Sequence, residues 1–245
     1  MRNKKSLILF GILLSLISVH SENTNFINKD LPTVDVILNN YIKAVGGRIA
    51  LMKLETKICK GRILDDKSGS SPLTVTPFIS FSTLPDKWKM ITYKKGAVLK
   101  QGFNGEFGWH SNATGIIFED CKDRSKLSWL LNPQSPLVLD DIFGKMSVET
   151  IINLNNLYTY KVVTELEDTY FSLYFDVASG LLVRIGLYWY LEDYRSVDGV
   201  LIPFKIVQNR KGRTTTLIFD EINHNNKIDD TVFEIFKEKS IKENK

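Results

Sequence analysis

His110 and His224, Cys59 and Cys121, and the acidic pairs Glu119-Asp120 and Asp229-Asp230 are the residues of this chain whose types could do chemistry. An imidazole serves as general base or metal ligand, a thiol as nucleophile or disulfide partner, and paired carboxylates as a cation site. Their surroundings point elsewhere. His224 opens the Asn-rich turn His224-Asn225-Asn226-Lys227, and His110 ends a short strand, both places where a histidine faces solvent. The acidic pairs fall on loops and read as turn or helix-start residues. Gly102, Gly105 and Gly108 frame the tight turn Asn104-Gly105 and do not form a phosphate loop. The sequence holds no G-x-S-x-G elbow, H-E-x-x-H, C-x-x-C, P-loop or EF-hand pattern. No catalytic residue, metal site or cofactor is therefore expected, and the chain reads as a protein that is not an enzyme.

The two cysteines keep two readings. Cys59 and Cys121 are a candidate disulfide, since export would place them where disulfides persist; the alternative is two buried thiols acting as small apolar residues, since Cys59 lies mid-strand. Export is what the first 21 residues suggest. Arg2, Lys4 and Lys5 precede the apolar run from Leu7 to Val19, and Val19-His20-Ser21 offers small residues where a signal peptidase cuts. The run is shorter than the roughly 20 residues of a spanning helix, which favours a cleaved signal over a retained anchor. No cysteine follows it to take a lipid, so the expected location is the periplasm. Cleavage would leave 29 basic against 28 acidic residues, a net charge of +1. That balance gives no basis for binding nucleic acid. Lys94-Lys95 and the cluster Arg210-Lys211-Gly212-Arg213 read as solvated hairpin tips. No linker divides the remainder. One domain is expected over residues 22–236, followed by a mixed-charge tail, 237–245.

The elements that must position these residues are mostly strands. Thr33 caps a helix over residues 34–45 that ends at Gly46-Gly47, and a shorter helix covers 48–54. Strand patterns follow at 56–64, 75–84, 87–93, 97–103, 107–110 and 115–119. The series then breaks at 123–131, whose spacing is helical, with Leu127, Leu130 and Leu131 on one side and Trp129 beside them. Pro133 and Pro136 punctuate a further helical turn at 137–143. Strands resume at 147–154, 157–166, 169–176, 181–191, 200–208 and 214–222. A sheet of about eleven or twelve strands must curl, split or close. Long runs of strands with short turns predict a mainly β (α+β) fold built on a curved antiparallel sheet.

Alternation along the strands supplies a functional hint. Leu181, Val183, Ile185, Leu187, Trp189 and Leu191 fall on one face of a continuous strand, as do Phe171, Leu173 and Phe175 on its neighbour. Trp88 and Met90 face opposite to Lys87 and Lys89, and Leu99 and Phe103 share a face. Only short helices stand ready to cover these side chains. The set is either an ordinary core filled by helices or a concave apolar surface with room for an apolar ligand. On the second reading, Trp88, Met90, Leu99, Phe103, Phe171, Leu173, Phe175, Val183, Ile185, Leu187 and Trp189 line the cavity. Leu127, Trp129, Leu130 and Leu131 belong to its lid.

Both ends of the chain resemble a known family. Tyr41-Ile42-Lys43-Ala44-Val45-Gly46-Gly47, followed by Leu54 and Gly61, is similar to the opening of outer-membrane lipoprotein-sorting proteins, relatives of the periplasmic lipoprotein carriers. Asp193-Tyr194-Arg195, Val197-Asp198-Gly199-Val200, Pro203, Ile222, Asn225 and Ile228-Asp229-Asp230 with Phe233 resemble that family's closing segment. The resemblance implies an unclosed, curved antiparallel β-barrel of about eleven strands, with short helices forming a lid and plug. It implies a carrier of the acyl chains of lipids or lipoproteins, working with envelope membrane complexes. It also implies a lid held by a basic residue on an early strand; Arg62 lies in that region, but no motif aligns it. The alternative is an envelope interaction module of the same fold with a filled core.

Overall fold

The structure, a computed structural model, describes residues 31–67, 73–94, 96–112, 115–119, 129–166 and 169–235. The expected signal segment and tail, together with Leu127 and Cys121, lie outside the described residues. Among the described residues no helix is long and apolar enough to cross a membrane.

Helix α1, Val34–Ala44, forms where the sequence places it. The Thr33 hydroxyl accepts from the Val36 amide at 3.4 Å, and the Gly47 amide closes the far end on the Ile42 carbonyl at 2.8 Å. Gly46 sits at φ +121°, and a Cβ there would collide with the Gly199 carbonyl oxygen. Only glycine lets the helix end approach the chain so closely. The Leu201 amide then donates to the Val45 carbonyl at 2.9 Å and ties α1 to the sheet. Helix α2, Arg48–Leu51, follows at once.

Among the described residues, thirteen strands make one antiparallel sheet. The first meander is β1 (Thr56–Lys67), β2 (Thr74–Thr83), β3 (Lys87–Lys94), β4 (Ala97–Phe103), β5 (Gly108–Asn112) and β6 (Gly115–Glu119). The second is β7 (Met146–Leu154), β8 (Leu157–Leu166), β9 (Thr169–Asp176), β10 (Leu182–Ile185), β11 (Trp189–Val197), β12 (Val200–Arg210) and β13 (Arg213–His224). Strand β13 pairs with β1 and joins the two meanders. Two-residue turns with positive φ at both positions, Asn155-Asn156, Asp198-Gly199 and Lys211-Gly212, match the right-handed strand twist and set neighbours side by side. The pairing of β1 with β13 slips between Lys60 and Gly61. A Cβ on Gly61 would strike the Ile218 carbonyl and the Phe78 ring, so this crowded bulge requires glycine.

The sheet is not closed. Strands β6 and β7 are its two edges, and the chain between them must travel from one edge to the other. Its described part holds 3₁₀ turns at Trp129–Leu131 and Ser135–Leu137 and the short helix α3, Leu139–Phe143. The helix expected over 123–131 is described only at this final turn.

The strand count exceeds the expected number because 181–191 is not one strand. The register shifts between Leu182 and Arg184, which sends Leu182 and Ile185 both inward and leaves Val183 only half-buried. Gly186, at φ +57°, then turns the chain, and Arg184 braces the turn by donating to the Gly186 and Leu187 carbonyls at 3.1 and 2.9 Å. Leu187 therefore lies on a hairpin tip, 63% exposed, and not on the inner face that unbroken alternation predicts.

Candidate functional site: a strapped apolar interior

The inner face of the sheet carries two buried clusters. In the first, Ile37 and Tyr41 of α1, Val45 at its C-terminal cap and Leu51 of α2 cover Val162, Leu173, Phe175, Leu182 and Ile185. The Tyr41 and Phe175 rings meet edge to face at 5.5 Å. In the second, Cys59, Phe78, Trp88, Met90, Ile206, Phe219 and Ile222 pack together, with Phe103 and Leu131 against them. Trp189 touches both clusters.

Where the clusters meet lies a cavity of about 50 Å³, walled by Tyr41, Cys59, Leu131, Ile202, Ile206 and Phe219 among others. That is room for a water or two, well short of the roughly 300 Å³ at which small-molecule sites begin. At this place the interior is filled, chiefly by α1 and by the segment running from Trp129 to Leu137. An acyl chain could enter only if one of them moved aside.

That segment is a strap, held by polar side chains and not by burial alone. The Lys57 ammonium of β1 donates to the Leu130 and Asn132 carbonyls at 3.1 and 3.4 Å. The Ser82 hydroxyl of β2 donates to the Leu131 carbonyl at 2.6 Å. Gln134 reaches the Met52 and Leu54 carbonyls at 3.2 and 3.0 Å, and the Asn132 amide reaches the Pro85 carbonyl at 2.9 Å. Three consecutive strap carbonyls thus rest on two neighbouring strands. Alternation brings Lys57 and Ser82 together: they are cross-strand partners in the β1–β2 register, in phase with inward-facing Cys59 and Ser80.

Burial holds the Lys57 pKa below the usual amine range, with a small opposing pull from Cys59. Burial also pushes the Cys59 thiol up, against smaller effects of Lys57 and Ser80. Cys59 is a free, buried thiol; its candidate disulfide partner Cys121 lies outside the described residues. Directly across the β1–β13 register from Lys57 stands His224, its Nδ1 at 3.1 Å from an Asp198 carboxylate oxygen. His224 is therefore buried beside the strap latch and not at the surface where its Asn-rich neighbourhood seemed to place it.

Of the cavity candidates, Trp88, Met90 and Phe103 sit in or against the second cluster. Phe171, Leu173, Phe175 and Ile185 sit in or against the first, beneath the helices. Leu99 is half-buried on β4, and Val183 and Leu187 belong to neither cluster. Of the lid candidates, Leu130 and Leu131 face the cavity, while Trp129 opens the strap. The latch residues Lys57 and Ser82 were not singled out from the sequence. Arg62 points away, half-exposed and paired with Asp220 at 3.1 Å. One signal was available: Lys57, Cys59 and Gly61 alternate in phase, placing a cation on the buried face.

No protein-family model and no curated protein matches this chain. Solved structures do. A LolA superfamily protein of Nitrosomonas europaea aligns over 84% of this chain and 99% of its own, with a TM-score of 0.58 at 11% identity. A DUF1329 family protein of Desulfovibrio piger aligns over 82% and 97%, with a TM-score of 0.59 at 12% identity. An outer membrane lipoprotein-sorting protein domain of Vibrio parahaemolyticus aligns over 81% and 94%, with a TM-score of 0.56 at 11% identity.

Proposed function

We propose, from the LolA-like fold, that the chain is exported to the periplasm and there binds and carries acyl chains of lipids or lipoproteins. The observation that supports this most is the strap. A protein that needed only a stable core would cover its inner face with apolar side chains. Here a run of three backbone carbonyls crosses that face and is pinned by a buried lysine and a serine. Hydrogen bonds of this kind hold a segment with about one to three kcal/mol each, enough to keep it closed and little enough to release it.

The energetics of carriage suit such a device. Burying an acyl chain is worth about 0.8 kcal/mol per methylene relative to water, whether the chain lies in a bilayer or in a protein. Transfer between the two is nearly neutral in that term, so displacement of a strap can set its direction. No bond is made or broken. Uptake of a fluorescent acyl chain by the purified protein tests the reading, with saturable binding expected. A second reading, an interaction module with a permanently filled interior, draws on the small cavity. It predicts no uptake.

A further inference from the structure

Lys57 is a buried amine with no carboxylate beside it among the described residues. The residue is 7% exposed, and its ammonium meets two neutral backbone carbonyls; no ion pair among the described residues includes it. Removing an ammonium from water without a carboxylate beside it is costly, and such a group is retained where something else pairs with it. Its cross-strand neighbour His224 is also 7% exposed, and the ring Nε2 has no hydrogen-bond partner among the described residues. Two nitrogen-bearing side chains therefore stand side by side, and Lys57 lines the apolar cavity.

We infer that Lys57, with His224 beside it, seats the anionic head of the cargo, a carboxylate or phosphate oxygen carried on an acyl chain. The inference rests on the carrier reading and specifies its ligand. The Lys57 ammonium would exchange two neutral acceptors for a charged one, adding the attraction of opposite charges in a buried place where water screens it little. Because the head and the strap carbonyls compete for the same ammonium, seating the head frees Leu130 and Asn132. The acyl tail then continues along Ile202, Ile206 and Phe219. Ser82, released from the Leu131 carbonyl, offers a further donor. The charged groups acting on the His224 ring are Lys57 of β1 and Asp198 of the β11–β12 turn. With Asp198 on Nδ1, a ring that takes up a proton donates from Nε2 to a second head oxygen. An uncharged acyl ester gains none of this.

The test compares palmitate, methyl palmitate and palmitoyl lysophosphatidate as competitors for an uncharged fluorescent acyl probe. The native protein is expected to bind palmitate or the lysophosphatidate at least about tenfold more tightly than the ester, a gap of about 1.4 kcal/mol. Preference for the phosphate over palmitate would assign the head to a phospholipid, and the reverse to a free fatty acid. Either supports the inference. Lys57→Met, shown folded by its circular dichroism, should bind acid and ester within about twofold of each other and so lose the preference. Lys57→Arg should keep most of it. Equal binding of acid and ester by the native protein overturns the anionic seat and leaves the carrier standing. Binding of none of the three overturns the carrier reading itself.

Discussion

Lys57 shows how a single residue can be invisible in a sequence and central in a fold. A lysine in a strand reads as surface, because its charge is normally solvated. Only the inward phase shared with Cys59 and Gly61 marks it, and that phase becomes meaningful once the strap is seen to lie above it. The role ascribed to it makes a prediction about motion. Replacing Lys57 by Met removes two charge-assisted hydrogen bonds from the strap, and amide exchange at Leu137 and Val138 should quicken about tenfold or more. Exchange in β8 and β9 should stay unchanged. Hydrogen-exchange mass spectrometry checks this; an unchanged strap would show that burial and the Ser82, Asn132 and Gln134 hydrogen bonds hold it without Lys57.

His224 bears on acid stability. Burial, more than any partner, lowers its pKa from 6.5, and Lys57 lowers it further, while the Asp198 carboxylate pulls it back. The folded state thus binds the proton less readily than the unfolded chain. Stability attributable to this group is present above the unfolded pKa and is lost as pH falls below it. Denaturant midpoints measured from about pH 7 down to about pH 5 should decline in the native protein. In His224→Phe they should decline less steeply. Parallel curves for the two would assign the acid sensitivity to other groups.

At the scale of elements, regular segments were legible and irregular ones were not. Helix α1 announces itself through the Thr33 cap, its apolar stripe and Gly46-Gly47, and all three work as read. Most strands follow from alternation between turn residues. The stretch 181–191 misled because a bulge breaks its period: Leu182 and Ile185 both face inward, so the even alternation of Val183 with Leu187 is accidental. The strap has no period at all, only two prolines and a run of polar side chains whose partners lie far off in sequence. The join between α1 and the sheet allows a sharper test. Gly46→Ala places a methyl group against the Gly199 carbonyl at a φ that side chains avoid. It should cost about 3 kcal/mol of stability in urea unfolding. Gly96→Ala, at a positive φ on an open hairpin tip, should cost about 1 kcal/mol. Equal costs would mean that the close approach of α1 to the β11–β12 turn contributes nothing.

At the scale of the molecule, the described residues form one sheet of thirteen strands with β6 and β7 at its edges, and α1, α2 and the strap cover its inner face. The sequence conveyed this architecture through the order of its pieces: an early capped helix, a helical break in mid-series, and a closing set of strands. It conveyed far less about the interior, because a filled core and a lidded cavity are made of the same alternating residues. Leu173 illustrates the difficulty. It was a cavity candidate by pattern, and it lies fully covered beneath the helices, where a charged replacement would unfold the protein and say nothing of a ligand. Ile202 is a better probe, half-buried on the cavity wall beside the strap.

The claim on which the account depends is that this interior opens to hold an acyl chain. Native mass spectrometry of the protein after incubation with palmitate and removal of the excess measures it directly. One retained chain per protein is expected, with retention lost in Ile202→Trp, which fills the cavity while its circular dichroism stays native. Protein mass alone in the native sample, at every palmitate concentration, would contradict it.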